Sequence, residues 1–151
     1  MPDTVDSRLL TEVQKNAQLT AQELGEVLNL SASQAGRRRA RLEADGTITG
    51  YCARLDPLRL GLAVQSFVQV EMASHHPDAG KAFTRLLSTR REIISAWTMT
   101  GEADVLLRVF CHDLPALNHL IHDVLLAHPS VARVHSQIVL DQMKPDAPMP
   151  T

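Results

Sequence analysis

Several features that would point to other classes of protein are missing from this chain of 151 residues. Its two cysteines, Cys52 and Cys111, lack CxxC spacing, so we expect no disulfide scaffold and a reducing cytoplasmic compartment. No stretch approaches the run of about 18 apolar residues that a membrane-spanning helix needs, and no signal peptide is expected at the N-terminus. No Ser/His/Asp order, phosphate-binding glycine loop or paired carboxylate set indicates catalysis.

A basic excess is missing too, because the formal net charge is -2 at pH 7. The basic residues are clustered instead: between Ser31 and Arg54 there are five arginines and only two acids. Such a local stripe can contact phosphates while the rest of the surface stays acidic. Apolar residues make up 44% of the chain, which is enough for a core and argues against general disorder.

Two helix starts lie close together, one before this basic region and one at its beginning. Thr20 with Glu23, and Ser31 with Gln34, have the spacing of a capping box. A short helix, a turn of about three residues and a second, arginine-rich helix form a helix-turn-helix, whose second helix suits the major groove of DNA. Glycine at position 46 is the predicted stop of that second helix.

Double-stranded DNA is therefore the expected partner of the second helix. Side chains in its first turns would reach base edges, and those further along would reach phosphates. The plainer alternative is that the arginines form a solvated helix face. The predicted DNA-binding residues are Ser31, Ser33, Gln34, Arg37, Arg38 and Arg41.

A further helix is predicted from Thr4 to Lys15, where apolar residues recur at helical spacing and Asp6 points outward. It would complete a three-helix unit. The segment 47–55 has strand-like residues and could add a short wing. The predicted core of this unit consists of Leu9, Leu10, Val13, Leu19, Leu24, Val27, Leu30, Ala35 and Leu42.

The second half of the chain changes to a period of two, which is typical of strands. Strands are predicted at 63–73, 92–100, 105–111 and 131–140, and helices at 77–89 and 113–127. This β-α-β-β-α-β order is the ferredoxin-like arrangement. The predicted fold is therefore α+β, with a three-helix (winged) helix-turn-helix domain followed by a ferredoxin-like βαββαβ domain.

The predicted domain boundaries follow from Pro57 and Gly61, which discourage regular structure in a linker. A four-stranded sheet with helices on one face leaves Val and Phe side chains on the other face to be covered, which predicts a two-fold homodimer. The segments are a helix-turn-helix domain (1–52), a linker (53–62), a ligand-sensing and oligomerisation domain (63–143) and a proline-rich tail expected to be disordered (144–151).

Taken together, this order of elements and a spaced set of residues resemble the Lrp/AsnC (feast/famine) family of bacterial and archaeal regulators, over about residues 3–144. The chain departs from the family pattern in the loop, where Glu102 and Val105 replace the usual Asp and Tyr, and in the second helix. Arg39 replaces an apolar residue and must lay its stem along the helix or pair with an acid, and Gly36 should cost about 1 kcal/mol relative to alanine. The matching residues are Asp6, Leu9, Leu10, Leu30, Ser31, Arg37, Arg38, Arg41, Leu42, Glu43, Gly46, Ile48, Gly50, Tyr51 and the loop 101–105.

The resemblance implies a transcriptional regulator that forms dimers, with octameric rings as a further assembly, and binds a small amino acid between dimers. Backbone amides near Gly101 would hold the ligand carboxylate, and Asp104 its ammonium group. In the alternative reading, Asp104 only ends a β-turn. No cofactor and no metal is expected. The implied effector residues are Thr100, Gly101, Glu102, Asp104, Leu114, Gln137, Ile138 and Val139, with Leu140 beside them.

Two other functions remain as alternatives. Arg39 and Gly36 fit a stand-alone ligand-sensing or interaction module with weakened DNA binding. Siroheme decarboxylases share the two-domain architecture, and Arg90, Arg91 and His135 would be the residues to consider for such an enzyme. The histidines at 112, 119 and 122 are interpreted as solvent-facing rather than as zinc ligands, because no pattern of cysteines or acids completes a site.

Overall fold

The structure is a computed structural model that describes residues 3–74 and 76–151. The chain divides into two units, one made of residues up to 54 together with 143–151, the other of residues 55–142. Each unit has its own apolar core. Among the described residues, no helix combines the length and apolarity needed to cross a membrane.

Three helices build the first unit: α1 (Thr4–Lys15), α2 (Ala21–Leu28) and α3 (Ala32–Ala44). The predicted helix-turn-helix is confirmed, and α1 has the predicted bounds. The helix α3 ends just before Gly46, whose φ of +78° is the left-handed conformation that favours glycine.

The core of the first unit differs from the predicted one at Val27, Leu28 and Asp6, and the predicted Leu19 and Leu30 are only partly buried against it. Val27 is 42% exposed, because its neighbour Leu28, one helical turn after Leu24, takes the inward position. Asp6 was predicted to point outward, but it is only 3% exposed. It shares the inward face of α1 with Leu10 and Val13, since positions i, i+4 and i+7 lie on one side of a helix. The buried core residues are Leu9, Leu10, Val13, Leu24, Leu28, Ala35 and Leu42.

The predicted wing does not form, because residues 47–56 contain no strand. A single extended segment with no partner strand cannot build a ladder. Instead, the amide of Ile48 donates to Leu42 O (2.8 Å), and the hydroxyl of Tyr51 donates to Glu43 Oε1 (2.7 Å). Both contacts return the chain to α3.

The C-terminal tail packs on α1 of the same unit. The amide of Met149 donates to Gln14 Oε1 (2.7 Å), and the side-chain amide of Gln14 donates to Met149 O (3.1 Å). The hydroxyl of Thr151 donates to Ser7 O (3.1 Å). Composition predicts disorder for residues 144–151, whereas the structure gives two of them specific partners.

The second unit begins after one turn of 3-10 helix at Leu58–Leu60 and carries the predicted β-α-β-β-α-β order. The four antiparallel strands lie in the order β2-β3-β1-β4, which confirms the ferredoxin-like arrangement. The elements are β1 (Val64–Met72), α4 (Pro77–Ser88), β2 (Ile93–Thr98), β3 (Val105–Cys111), α5 (Leu114–His119) and β4 (Val131–Ile138).

The second helix of this unit is less regular than predicted. Asp113 caps α5 as expected, since its Oδ1 accepts from the amide of Ala116 (2.8 Å). The predicted continuous helix to residue 127 is wrong, because a π-helical turn at Leu120–Leu125 replaces its second half. The amide of Leu126 donates to Ile121 O (2.9 Å), five residues earlier.

Both helices pack on one face of the sheet, and the valines lie there too. Val68, Val70, Leu107 and Val109 are fully buried against a cluster that includes Phe83. The expectation that Val side chains lie on the opposite, open face is therefore wrong, because alternation directs the β1 valines at 64, 68 and 70 to the helices. The open face carries Gln65, Phe67, Gln69 and Glu71 of β1 and Leu106, Arg108 and Phe110 of β3.

Candidate functional site

The turn between α2 and α3 depends on a glycine that the sequence analysis did not single out. Gly25 is buried, and a Cβ built on it would lie 2.7 Å from Leu30 O. The amide of Leu30 donates to Gly25 O (2.8 Å), and Asn29 has a left-handed φ of +56°. The close approach of the turn to α2 therefore requires glycine at position 25.

Both predicted capping boxes are present and fix the first turns of α2 and α3. Thr20 Oγ1 accepts from the amide of Glu23 (3.2 Å), and Glu23 Oε2 accepts from the amide of Thr20 (2.7 Å). Ser31 and Gln34 make the same pair of bonds at 3.2 and 3.0 Å. The hydrogen bonds from Thr20 hold the pKa of Glu23 below its usual value.

The predicted DNA-binding side chains lie close together on α3. Four of them line one open concave surface of about 350 Å³, together with Leu30. Ser33 lies one turn before Arg37, whose Nε donates to Ser33 O (3.3 Å), and Ser31 caps the same helix. We call this surface the arginine surface, and its lining residues are Leu30, Gln34, Arg37, Arg38 and Arg41.

Two of these arginines are held by acids of α1, which the sequence analysis did not foresee. Arg38 Nη1 donates to Asp3 Oδ2 and to Asp6 Oδ1, both at 2.8 Å, and Arg41 Nη2 donates to Asp6 Oδ2. The two carboxylates raise the pKa of Arg38, and hydrogen bonding from Arg38 lowers the pKa of Asp3. Arg37 has no ion pair among the described residues and is exposed.

Arg39 pairs with an acid, as its position requires. Its Nε donates to Glu43 Oε1 (3.1 Å) and to the Tyr51 hydroxyl (3.0 Å). Its Nη1 and Nη2 donate to Leu19 O (2.8 Å) and Ala17 O (3.2 Å), and the guanidinium lies 4.8 Å from the centre of the Tyr51 ring. Arg39 therefore does not line the arginine surface and fastens α3 to the α1–α2 loop.

In the second unit, Asp104 closes the loop that contains Gly101. The amide of Met72 donates to Asp104 Oδ2 (2.7 Å), and the amide of Asp104 donates to Val70 O (3.0 Å). Gly101 has a φ of +112°, which other residues rarely adopt. The Asp104 carboxylate therefore has a structural contact to β1.

Two cavities flank this loop. One, of about 430 Å³, is lined by Asp104, Trp97, Thr98 and Phe83, among others. The other, of about 380 Å³, is more polar. It is lined by Gln69, Glu71, Glu102, Ala103, Arg133 and His135. Its Glu71 and Arg133 side chains form an ion pair at 3.7 Å.

The eight predicted effector residues do not meet within one chain. Val105, which follows Asp104 in the chain, pairs with Val70, whereas Ile138 pairs with Ser66. These β1 positions are four residues, or about 13 Å, apart at the usual rise per residue. Leu114 follows Cys111, which pairs with Val64, so it belongs to the Ser66 end. The loop group is Thr100, Gly101, Glu102 and Asp104, and the strand-end group is Leu114, Gln137, Ile138 and Val139.

The residues considered for an enzyme are also far apart. Arg90 and Arg91 precede β2, whereas His135 lies on β4, and these strands form opposite edges of the sheet. Among the histidines, His119 Nδ1 lies 2.7 Å from Asp123 Oδ2, and His112 Nδ1 lies 2.9 Å from Gly61 O. No group of three or more metal-ligating side chains occurs in the part of the chain that the structure describes.

A helix-turn-helix with an arginine-lined second helix, followed along the chain by a ferredoxin-like unit with cavities at a glycine loop, defines a ligand-responsive DNA-binding regulator. A model of the AsnC-type helix-turn-helix domain matches residues 3–43, and a model of the Lrp/AsnC ligand binding domain matches residues 65–149. The chain belongs to the Lrp/AsnC family of transcriptional regulators, as the sequence resemblance predicts.

Relatives along the full length agree with this assignment. The chain is 30% identical over 150 residues to the DNA-binding transcriptional activator DecR of Escherichia coli (strain K12), covering 99% of each protein. It is 33% identical over 138 residues to the Bkd operon transcriptional regulator of Pseudomonas aeruginosa, covering 91% of this chain and 90% of that protein.

Solved structures show the same fold. A transcriptional regulator from Neisseria meningitidis, crystallised as a complex with L-Met, matches with a TM-score of 0.95 and 34% identity, over 99% of this chain and 97% of that one. An AsnC family regulator from Agrobacterium tumefaciens matches with a TM-score of 0.91 and 28% identity, with the same coverage.

Proposed function

We propose that this regulator reads DNA through the arginine surface and the two serines that precede it on α3. The observation that carries this proposal is the exposure of Arg37 beside Gln34, at the end of α3 that would enter the major groove. Arg37 supplies a planar fork for a guanine edge or a phosphate, and Gln34 an amide for an adenine edge. Ser31, Ser33, Arg38 and Arg41 complete the contact set.

In vitro selection from random duplexes with the full-length protein tests this directly. We expect an enriched, approximately palindromic sequence, because a two-fold protein assembly is mirrored in its DNA site. A scrambled duplex of the same composition is the control and should bind at least a thousandfold more weakly at physiological salt, within the usual range for specific sites. Recovery of no enriched sequence would contradict the proposal and would favour a ligand-sensing module.

We further propose that a small amino acid is the effector and binds at the loop group. Backbone amides around Gly101, whose φ is +112°, would donate hydrogen bonds to the ligand carboxylate. The bond from the amide of Met72 orients the Asp104 carboxylate without exhausting its capacity, because a carboxylate accepts at about four lone-pair positions. The complex of the Neisseria meningitidis regulator makes L-Met the first ligand to examine.

The separation of the loop group from the strand-end group indicates how such a site is completed. The two groups lie at opposite ends of the sheet, so one chain alone cannot surround a small ligand with both. A second copy of the chain would bring its strand-end group to the loop group of the first. This is the arrangement that a ligand bound between dimers requires, and it couples effector binding to assembly.

Calorimetry with L-Met, followed by the other amino acids, tests the effector. Asp104→Asn should weaken binding at least tenfold, because the ammonium group loses a charged partner worth about 1.5–3 kcal/mol. Asp123→Asn makes the same change at an exposed acid outside both effector groups, is the matched control and should bind within threefold of the wild type. Absence of heat with every amino acid at millimolar concentration would contradict an amino-acid effector, and equal losses in both variants would contradict the role of Asp104.

The open face of the sheet is the proposed dimer interface. Phe67 and Phe110 lie on this face of neighbouring strands, among polar side chains such as Gln65 and Glu71. An apolar centre with a polar surround is the usual composition of a protein interface. Association of dimers into octamers is proposed for the effector-bound form.

Light scattering tests this assembly. The wild-type protein should have at least twice the chain mass at micromolar concentration. Phe67→Glu should give a monomer, because it places a charge in the centre of the interface. Asn118→Glu, on an exposed position of α5, introduces the same charge on the helix side and should leave the mass unchanged. A monomeric wild-type protein would contradict the interface.

A further inference from the structure

Asp6 is a buried acid in an otherwise apolar part of the first unit. Asp6 is 3% exposed, and its neighbours on the inward face of α1 are Leu9, Leu10 and Val13. Burying a carboxylate is unfavourable unless partners replace its hydration. An apolar residue of similar size would fill the same position at a lower cost, so the fold alone does not account for an acid here.

Both oxygens of Asp6 accept hydrogen bonds from side chains of α3. Oδ1 accepts from Arg38 Nη1 at 2.8 Å, and Oδ2 accepts from Arg41 Nη2. Arg38 and Arg41 are three residues apart and therefore project from the same side of α3. A single carboxylate thus bridges two of the arginines that line the arginine surface.

The bridged arginines keep part of their hydrogen-bonding capacity. The Arg41 side chain is 56% exposed and the Arg38 side chain 30% exposed. A guanidinium has five N–H donors in a fixed plane, so binding one edge to Asp6 sets the direction in which the other edge points. The acid therefore orients the remaining donors toward the arginine surface.

Charge pairing has a second consequence. Asp3 and Asp6 carry two formal negative charges against the two positive charges of Arg38 and Arg41. Sequence-independent affinity for DNA increases with the number of phosphates that lysine and arginine side chains of the protein neutralise. Pairing both arginines with acids therefore lowers non-specific affinity, while oriented donors retain the ability to recognise a particular site.

We propose that Asp6 is a positioning residue for DNA recognition, which increases the ratio of specific to non-specific binding by bridging Arg38 and Arg41. This inference rests on the proposed DNA-binding role of the arginine surface. Asp6 itself does not contact DNA. It acts by fixing two guanidinium groups and by masking their charge in complexes without the correct sequence.

The test compares Asp6→Asn with the wild type, using the selected duplex and its scrambled version over a range of salt concentrations. The affinity ratio of the two duplexes should fall at least tenfold. Affinity for the scrambled duplex should rise, and its salt dependence should steepen by about one unit if one freed arginine neutralises a phosphate. Glu12→Gln removes the same charge from α1 at a side chain that pairs with Lys15, and should leave the ratio within twofold.

A purely structural role would give a different result, because partial unfolding lowers both affinities together and leaves their ratio unchanged. Asp6→Glu keeps the charge but moves the carboxylate by one methylene, and should also lower the ratio. An unchanged ratio in a folded variant, or failure of both variants to fold, would overturn the inference. If Arg38→Ala and Arg41→Ala leave DNA binding unchanged, the proposed DNA-binding role fails instead.

Discussion

Arg39 shows how one side chain in an unusual place can stabilise a unit. The family pattern has an apolar residue there, but this arginine donates to two loop carbonyls, a carboxylate and a hydroxyl. Main-chain carbonyls of Ala17 and Leu19 gain donors that solvent would otherwise supply. Its guanidinium also lies over the Tyr51 ring, 4.8 Å from the ring centre, which adds a favourable contact for the charge.

Replacing this residue should therefore destabilise the first unit. Arg39→Met keeps the stem and removes the donors, and we expect a loss of about 1–3 kcal/mol, the range for hydrogen bonds of charged groups. Arg39→Lys should recover only part of it, because an ammonium cannot reproduce the planar fork. Urea unfolding followed by circular dichroism measures the effect, with the exposed Arg37→Met as control. Equal stability of Arg39→Met and wild type would contradict this account.

Acid should weaken the same unit through its paired carboxylates. Hydrogen bonds from Tyr51 and Arg39 lower the pKa of Glu43, those from Thr20 lower that of Glu23, and Arg38 lowers that of Asp3. A pKa that is lower in the folded state means that the unfolded chain binds more protons in acid. The stabilisation is therefore complete above the unfolded pKa values, near 4, and is lost as the pH falls through the folded ones.

Urea unfolding at a series of pH values checks this expectation. The unfolding free energy of the wild type should fall progressively below pH of about 4.5. Glu43→Gln should be less stable near neutral pH and should show a shallower decrease in acid, because one of the linked groups no longer titrates. Parallel curves for the two proteins would show that Glu43 contributes nothing to the acid response.

At the scale of elements, the two glycines of the helix-turn-helix have opposite roles. A Cβ at Gly25 would meet Leu30 O at 2.7 Å, whereas a Cβ at Gly36 would meet only the Cβ of Ala21, at an ordinary 3.5 Å. The first glycine permits the turn. The second leaves conformational freedom in the middle of α3 without serving a close contact.

Alanine at each position should separate these roles. Gly36→Ala should stabilise the first unit by about 0.5–1 kcal/mol, since alanine is the better helix former and meets no obstacle. Gly25→Ala should destabilise it, because the turn must move away from α2. Thermal unfolding of the two variants beside the wild type measures both effects. A destabilised Gly36→Ala would contradict the packing described around α3.

The elements that could be predicted are those whose signals are local. Capping boxes at Thr20 and Ser31 place the starts of α2 and α3, and the period of two places β1 within a residue. The burial of Asp6 and the missing wing depend on partners distant in sequence. The π-helical turn depends on register within a helix. The sequence alone predicts that a charged residue such as Asp6 is exposed. The structure shows that arginines of α3 reach it at an inward position.

At the scale of the whole molecule, the candidate sites were predicted unequally well. The predicted DNA-binding residues fall on one helix and its N-cap, so their spacing alone brings them together at the arginine surface. The effector residues come from a loop and from the opposite end of the sheet, and no property of a single chain places them side by side. The proposed site would bring them together only through a second copy of the chain, and this is why the sequence indicates them only through resemblance.

The salt dependence of DNA binding by Arg37→Ala tests the central claim most directly. Arg37 is exposed and has no ion pair among the described residues, so its removal leaves the fold intact. The variant should bind the selected duplex about 1–3 kcal/mol more weakly if Arg37 contacts a base, or with a salt slope reduced by about one if it contacts a phosphate. Arg85→Ala makes the same charge change on α4, and its affinity for the duplex and its salt slope should equal those of the wild type. Wild-type affinity and slope in Arg37→Ala, or an equal loss in Arg85→Ala, would contradict the reading of DNA by α3.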